Sequence, residues 1–276
     1  MDRPMDGATS SNGTTRLFAA AIAVAAALAA CGTRQPGGEI EPPEPVATAS
    51  GRCLAPTPGP NVRVTSAVGE SNSPVIAWGG EVFDVAWWDM RGRYPSVHAV
   101  RVDREGVLRS RARQLPSDDR ARHQSLARDA VEGHLAYLDG RTVRAARLGP
   151  TRTPPATLSA DAKAPAAGPF GAAAWVERGT LLFRCDGMGP PPGAPGGDDA
   201  LDPVVLYQGG IEDPAVAWNG AHFAVVWSSS VKGGREILMQ RVGHDGHRLG
   251  EVVQISAVAG VNRKPAVVWT GNEWAI

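Results

Sequence analysis

The stretch "DPAVAWNGAHFAVVW" occupies residues 213–227, and a related stretch, "SPVIAWGGEVFDVAWW", occupies residues 73–88. A third copy, "KPAVVWTGNEWAI", fills residues 264–276. The first two copies keep a constant spacing of 140 residues, which separates, for example, Trp78 from Trp218. A chain that repeats itself in register over such a distance is built from repeated structural units.

The internal pattern of the repeat predicts short antiparallel strands. Each copy contains short runs rich in Val, Ile and Trp, and Asn219-Gly220 between two such runs is a strong hairpin signal. A spacing of 140 residues leaves room for three units of about 47 residues each. Two weaker copies lie between the strong ones, with Tyr137 and Trp175 at the position that Trp87 has in the first unit.

We therefore predict an all-β fold, a β-propeller-like array of four-stranded repeats with about four and a half blades present. The repeat domain is expected over residues 61–276, with units near residues 62–115, 120–160, 163–210 and 211–260 and a partial unit at 261–276. A β-sandwich of duplicated hairpins is the alternative. Because the chain stops inside a predicted strand, we expect it to be a fragment; four blades closed by the N-terminal segment is the alternative.

The tryptophans of the repeat are predicted to lie in the core. Trp218, Trp227 and their equivalents are large rings that can fill the wedge between neighbouring blades. A platform for stacking carbohydrate rings is the alternative interpretation.

The shared motif P-a-v-a-W-n-G, followed by V-v-W, I-x-x-x-R-V and D-G, resembles the tandem β-propeller repeats of secreted and surface lipoproteins of Gram-negative soil bacteria. The resemblance covers roughly residues 62–276 and is strongest in the first and fourth units. It implies an architecture, and it implies no characterised activity.

The N-terminal residues 1–30 are predicted to be a lipoprotein signal peptide. Arg16 precedes an uncharged run of 14 residues, 17–30, which fits the apolar core of a signal peptide and is too short to span a bilayer. The sequence Leu28-Ala29-Ala30-Cys31 resembles the lipobox of bacterial lipoproteins, which implies cleavage before Cys31 and lipid attachment to it. An ordinary secretory signal cleaved after Ala30 is the alternative.

Residues 31–60 are rich in Pro and Gly and are predicted to form a disordered tether between the anchor and the domain. With Cys31 lipidated, Cys53 and Cys185 remain, and an oxidising compartment makes them a candidate disulfide. Two free thiols are the alternative, because the sequence does not give the distance between them.

The net charge of zero gives no global field that would favour nucleic acid. Residues 91–147 hold 13 arginines against seven acids, a basic flank that could meet an acidic surface polymer, although a solvated face is the simpler interpretation. The sequence contains no serine-nucleophile, phosphate-loop or zinc motif. We therefore predict no cofactor, no metal and no catalytic residue.

One constellation of acids follows from the repeat. Asp89, Asp139 and Glu177 each lie two residues after the aromatic residue of the second strand, so all three are expected on one rim of the propeller. There they could bind a cation or divide acid and base roles over a sugar. The alternative is that each carboxylate accepts hydrogen bonds from its own turn.

Together these observations predict a lipid-anchored cell-envelope protein with a non-catalytic binding or scaffolding domain. The anchor is expected in a bacterial membrane, the outer membrane being favoured, with the domain in the periplasm or on the cell surface. The expected partners are the membrane and an envelope protein or polysaccharide. A hydrolase or lyase that cleaves envelope polysaccharide with the rim carboxylates is the alternative.

Overall fold

The computed structural model describes residues 61–65, 69–117, 121–150, 152–185, 202–231, 234–256 and 260–276. Every regular element in these ranges is a β-strand. No helix among the described residues has the length and apolar character needed to cross a membrane. Residues 1–60, which include the predicted signal peptide and tether, lie outside the described part.

The strands form four four-stranded sheets and one two-stranded sheet. Unit 1 contains β1 (Ser71–Trp78), β2 (Val82–Asp89), β3 (Ser96–Asp103) and β4 (Arg113–Gln114). Unit 2 contains β5 (Ala121–Arg128), β6 (Gly133–Asp139), β7 (Thr142–Arg147) and β8 (Ala156–Ser159). Unit 3 contains β9 (Lys163–Ala167), β10 (Ala173–Glu177), β11 (Thr180–Arg184) and β12 (Val204–Gln208). Unit 4 contains β13 (Ile211–Trp218), β14 (His222–Val231), β15 (Gly234–Gly243) and β16 (Arg248–Gln254), and unit 5 contains β17 (Val268–Trp269) and β18 (Trp274–Ala275).

Within each sheet, strands that follow one another in the chain are neighbours and pair antiparallel. The first strand of each unit also lies beside the first strand of the next, so that β1, β5, β9, β13 and β17 form a continuous series. Meandering four-stranded sheets arranged around a common series of inner strands are the arrangement of propeller blades. The predicted all-β array of four-stranded repeats is confirmed.

The repeat extends to the backbone conformation of the inner strands. One residue in or just before each first strand has a left-handed conformation: Ser73 (φ 51°), His123 (φ 49°), Ala164 (φ 51°), Asp213 (φ 50°) and Lys264 (φ 54°). In units 1, 2 and 4 the pairing with the second strand shifts register at this residue. Such β-bulges bend a strand at a defined point, and the left-handed residue that accompanies them recurs in every unit.

The second strands carry the core of the domain. Every residue of β6 is buried, and Trp87, Tyr137, Trp175 and Trp227, which occupy one equivalent position, are each at most 3% exposed. The rings of Tyr137, Trp175 and Trp227 pack against the preceding unit, as expected for repeats that bury their faces against each other. The predicted core role is therefore correct for the tryptophans of the second strands.

Candidate functional site

The three predicted rim acids lie at the same end of their sheets. Asp89, Asp139 and Glu177 are the last residues of β2, β6 and β10. Asp89 and Asp139 are buried and Glu177 is half-buried. Among the described residues, no group of three His, Cys, Asp or Glu side chains is placed to hold a metal ion. The three acids are thus equivalent in position without converging on a common centre that could bind a cation.

Asp89 is held by a dense set of hydrogen bonds. It accepts them from the hydroxyl of Ser71 at 3.0 Å, from the indole N–H of Trp87 at 3.2 Å and from the backbone N–H of Arg91 at 2.9 Å. The Arg91 guanidinium also forms an ion pair with it at 2.7 Å. This hydrogen-bonded guanidinium holds the pKa of Asp89 far below its usual range, against the opposing effect of burial.

Asp139 and Glu177 each accept a hydrogen bond from a serine of the preceding unit. Ser117, which follows β4, donates to Asp139 at 2.7 Å, and the Arg144 Nε donates to Asp139 at 2.9 Å. Ser159, at the end of β8, donates to Glu177 at 2.8 Å. These bonds connect the outer strand of one sheet to the second strand of the next. They favour a structural role for the three acids. A ligand site at these acids remains a prediction.

A cleft lined by aromatic rings lies at the opposite end of the first strands. Trp78, Trp218 and Trp269 end β1, β13 and β17, and together with Phe170 they line a cavity of about 470 Å³. Trp78 is 45% exposed, and Trp218 and Trp269 are half-buried. We call this cavity the aromatic cleft. The core interpretation is therefore incomplete for the tryptophans of the first strands.

The turn that follows each first strand explains where these rings lie. Gly80, Gly220 and Gly271 follow the tryptophans by two residues and have φ values of 91°, 97° and 103°, which glycine adopts without strain. The chain therefore reverses direction immediately after the tryptophan. An aromatic residue of the second strand then packs on the tryptophan, with ring centroids 4.3 Å apart for Trp78 and Phe83 and 4.5 Å apart for Trp218 and Phe223.

Unit 2 has Arg128 at the position of these tryptophans, and this arginine also lines the aromatic cleft. Its guanidinium forms an ion pair with Asp84 of unit 1, which is fully buried and also accepts a hydrogen bond from Arg101 at 3.1 Å. The Arg101 guanidinium donates further to the carbonyl of Leu148. Neither Asp84 nor Arg128 was predicted from the sequence, although units 1, 4 and 5 have tryptophan where unit 2 has Arg128.

The cysteine predictions fall mainly outside the described residues. Cys185 is buried beside the carbonyl of Phe170, and its Sγ lies 3.9 Å from that oxygen. Cys31 and Cys53 are not among the described residues. Lipidation of Cys31 and a bond between Cys53 and Cys185 therefore remain predictions.

Comparisons with known proteins identify no family for this chain. No protein-family model matches the chain, and no curated protein matches it. Among solved structures, the chain is similar to a subtype N10 neuraminidase-like protein of A/little yellow-shouldered bat/Guatemala/060/2010, at 12% identity and a TM-score of 0.45. The match covers 71% of this chain and 61% of that one. A likeness of this strength carries no argument about activity.

Proposed function

We propose that the chain is a lipid-anchored protein of the bacterial cell envelope whose propeller-like domain binds a polysaccharide and does not cleave it. The lipobox-like sequence that ends at Cys31 supports the anchor. The Pro- and Gly-rich residues 31–60 then act as a tether that lets the domain reach material around the membrane.

The aromatic cleft is the observation that supports binding. Four rings from four different units border one cavity of about 470 Å³, which is the size range of a small-ligand site. Aromatic faces pack against the C–H faces of sugar rings and bring large apolar area at low conformational cost. Trp78 offers the most exposed of these tryptophan faces.

The contacts of the rim acids support the absence of catalysis. A retaining or inverting glycosidase needs two carboxyl groups that flank one bond and remain available for proton transfer. Asp89 and Asp139 are instead bound to Arg91 and Arg144, and Glu177 is bound to Ser159.

The binding role is tested with the full chain in detergent and cellohexaose, a neutral oligosaccharide, by isothermal titration calorimetry. The double variant Trp78→Ala with Trp218→Ala is expected to weaken binding at least tenfold, because two of the stacking faces are removed. Trp88→Ala is the matched control, since Trp88 lies on β2 outside the cleft and bonds Ser73 at 3.3 Å. An unchanged affinity in the double variant would refute the cleft as the site.

The anchor is tested separately by mass spectrometry of the N-terminal peptide. The expected product begins at Cys31 and carries acyl chains, and the Cys31→Ser variant is expected in the soluble fraction. A mature chain that begins at Cys31 without lipid would contradict the anchor and leave the binding role untouched.

The absence of catalysis is tested by changing all three acids, with Asp89→Asn, Asp139→Asn and Glu177→Gln. We expect a lower melting temperature and retained binding of cellohexaose at a temperature where the variant is folded. Polysaccharide cleavage by the unmodified chain that disappears in a folded triple variant would establish the hydrolase or lyase alternative.

A further inference from the structure

A second cleft lies where the outer strands of unit 1 meet the connection between β7 and β8 of unit 2. It has a volume of about 470 Å³, and it is lined by five arginines and one acid: Arg101, Arg109, Arg111, Arg113, Arg152 and Asp84. Ala99, Val100 and Leu148 give part of the lining an apolar character. We call this cavity the arginine cleft.

Three of these arginines come from one short segment of unit 1. Arg109, Arg111 and Arg113 alternate with Ser110, Ala112 and Gln114 in a segment that runs along β3. The backbone N–H of Arg109 donates to the carbonyl of Arg101 at 2.8 Å, and Arg113 pairs with Ala99. The segment bulges between these two contacts, because the four-residue advance from Arg109 to Arg113 lies opposite an advance of only two residues in β3.

The positive charge of the cleft is only partly balanced. Arg101 contacts Asp84 at 3.1 Å, and Arg109, whose side chain is 59% exposed, contacts Asp103 at 2.6 Å. For Arg111, Arg113 and Arg152 no ion pair exists within the described part of the chain. The guanidinium N–H groups of these arginines can therefore donate hydrogen bonds to an anion that enters the cleft.

The repeat itself shows that the blade does not need these arginines. Unit 4 has the same register as unit 1, since Ala99 pairs with Arg113 and Met239, 140 residues after Ala99, pairs with Val253. The positions of Arg109, Arg111 and Arg113 are occupied in unit 4 by Leu249, Glu251 and Val253. The arginines are thus an addition to unit 1 that the four-stranded sheet does not require.

We propose that the arginine cleft binds a linear acidic polysaccharide through its carboxylate or sulfate groups. This inference rests on the proposed polysaccharide-binding function and adds the charge class of the ligand and a second contact surface. Guanidinium groups match carboxylate and sulfate oxygens with two parallel hydrogen bonds. Several arginines along one cleft suit a polymer that carries many anionic groups, and the apolar lining can meet the sugar faces between them.

The test grafts the sequence of unit 4 onto unit 1. The cleft variant carries Arg109→Leu, Arg111→Glu and Arg113→Val, which a sheet of the same register accepts in unit 4. The control variant carries Arg104→Leu, Arg248→Glu and Arg263→Val, which changes the net charge equally at exposed positions outside the cleft. Binding of polygalacturonate, dextran sulfate, neutral dextran and poly-glutamate to the full chain in detergent is measured by calorimetry at two salt concentrations.

We expect polygalacturonate or dextran sulfate to bind the unmodified chain, with affinity that falls at higher salt. The cleft variant should bind at least tenfold more weakly and the control variant within twofold of the original. Which of the two polymers binds identifies the anionic group.

Equal losses in both variants would mean that net charge alone drives binding, and would overturn the proposal. Preference for poly-glutamate, or no binding of either acidic polymer, would overturn it as well. Because cellohexaose is neutral, its binding at the aromatic cleft is measured independently, so that failure of the arginine cleft and failure of the proposed function give different results.

Discussion

Units 3 and 4 meet through large rings, whereas units 1 and 2 meet through small side chains and charges. Between units 3 and 4, the centroids of Phe183 and Phe223 lie 5.3 Å apart, and those of Tyr207 and Trp227 also lie 5.3 Å apart. Between units 1 and 2, the apolar cluster contains alanines, valines and leucines with a single aromatic ring, that of Tyr137. The junction is completed by the ion pair of Asp84 with Arg128.

The difference can be followed at single positions. Asp84 in unit 1 corresponds to Ala224 in unit 4, and Arg128 in unit 2 corresponds to Trp269 in unit 5. Equivalent positions of the repeat therefore hold an ion pair in units 1 and 2 and an alanine and a tryptophan in units 4 and 5. An apolar junction is stabilised by the apolar area that it removes from water. In a buried ion pair each charge mainly spares the other the cost of being buried without a partner.

The largest effect is expected from Trp227→Ala, which removes a fully buried ring from the junction of units 3 and 4. Deletion of such a ring costs about 4 kcal/mol in the free energy of unfolding, through lost transfer energy and the cavity left behind. Urea denaturation followed by near-UV circular dichroism measures the change. A loss below about 1 kcal/mol would show that the site collapses and that the ring is not the main contact.

A slightly smaller effect is expected from Asp84→Ala at the other junction, because it leaves the Arg128 side chain, 6% exposed, without its carboxylate. Breaking a buried pair in this way costs about 3 kcal/mol. The double variant Asp84→Ala with Arg128→Trp reproduces the residues found at the junction of units 4 and 5 and should recover most of the loss. A double variant no more stable than Asp84→Ala would show that the two kinds of junction are not interchangeable.

Loss of one serine contact between units should have a smaller effect. Ser159→Ala removes the hydroxyl that bonds Glu177 at 2.8 Å, and a hydrogen bond to a charged group contributes about 1.5 kcal/mol. Ser229→Ala is the comparison, because the buried Ser229 hydroxyl has no hydrogen-bond partner among the described residues. Thermal unfolding should show a lower melting temperature for the first variant only; equal shifts would contradict the role of the Ser159 contact.

The smallest effect on stability is expected from lowering the pH. The pKa of Asp89 is lowered in the folded chain, mainly by its hydrogen bond with Arg91. The stabilisation is therefore complete above the unfolded pKa of about 4 and is lost as the pH falls through the lower folded value. Melting curves should show that Asp89→Asn is less stable than the original at pH 7, with a difference that narrows below about pH 4. A constant difference at all pH values would exclude this linkage.

The all-β repeat architecture was predictable because it depends on short-range patterns. Runs of Val, Ile and Trp, turn glycines such as Gly220 and a constant spacing are all visible in the chain itself. The spacing also identified Trp227 and its equivalents as core residues, since one position is aromatic in each of units 1 to 4. Patterns of this kind indicate which residues share a face of a strand. They do not indicate which residues of a neighbouring unit these side chains contact.

The candidate sites could be predicted only in part for the same reason. The common position of Asp89, Asp139 and Glu177 follows from the repeat, but the partners Ser117 and Ser159 come from the preceding sheet. The exposure of the first-strand tryptophans depends on where the inner strands end relative to one another. The alternation of Arg109, Arg111 and Arg113 is visible in the sequence, while the approach of Arg101 and Arg152 to them depends on how two sheets are packed.

The shared register of units 1 and 4 also has an evolutionary consequence. After a blade has been duplicated, its fourth strand can accumulate substitutions on the solvent side while the paired backbone is preserved, as the change between Arg113 and Val253 illustrates. Each copy is then free to diversify in charge without a compensating change in its neighbours. Gene duplication in such a protein therefore supplies surfaces of different charge on the same paired backbone.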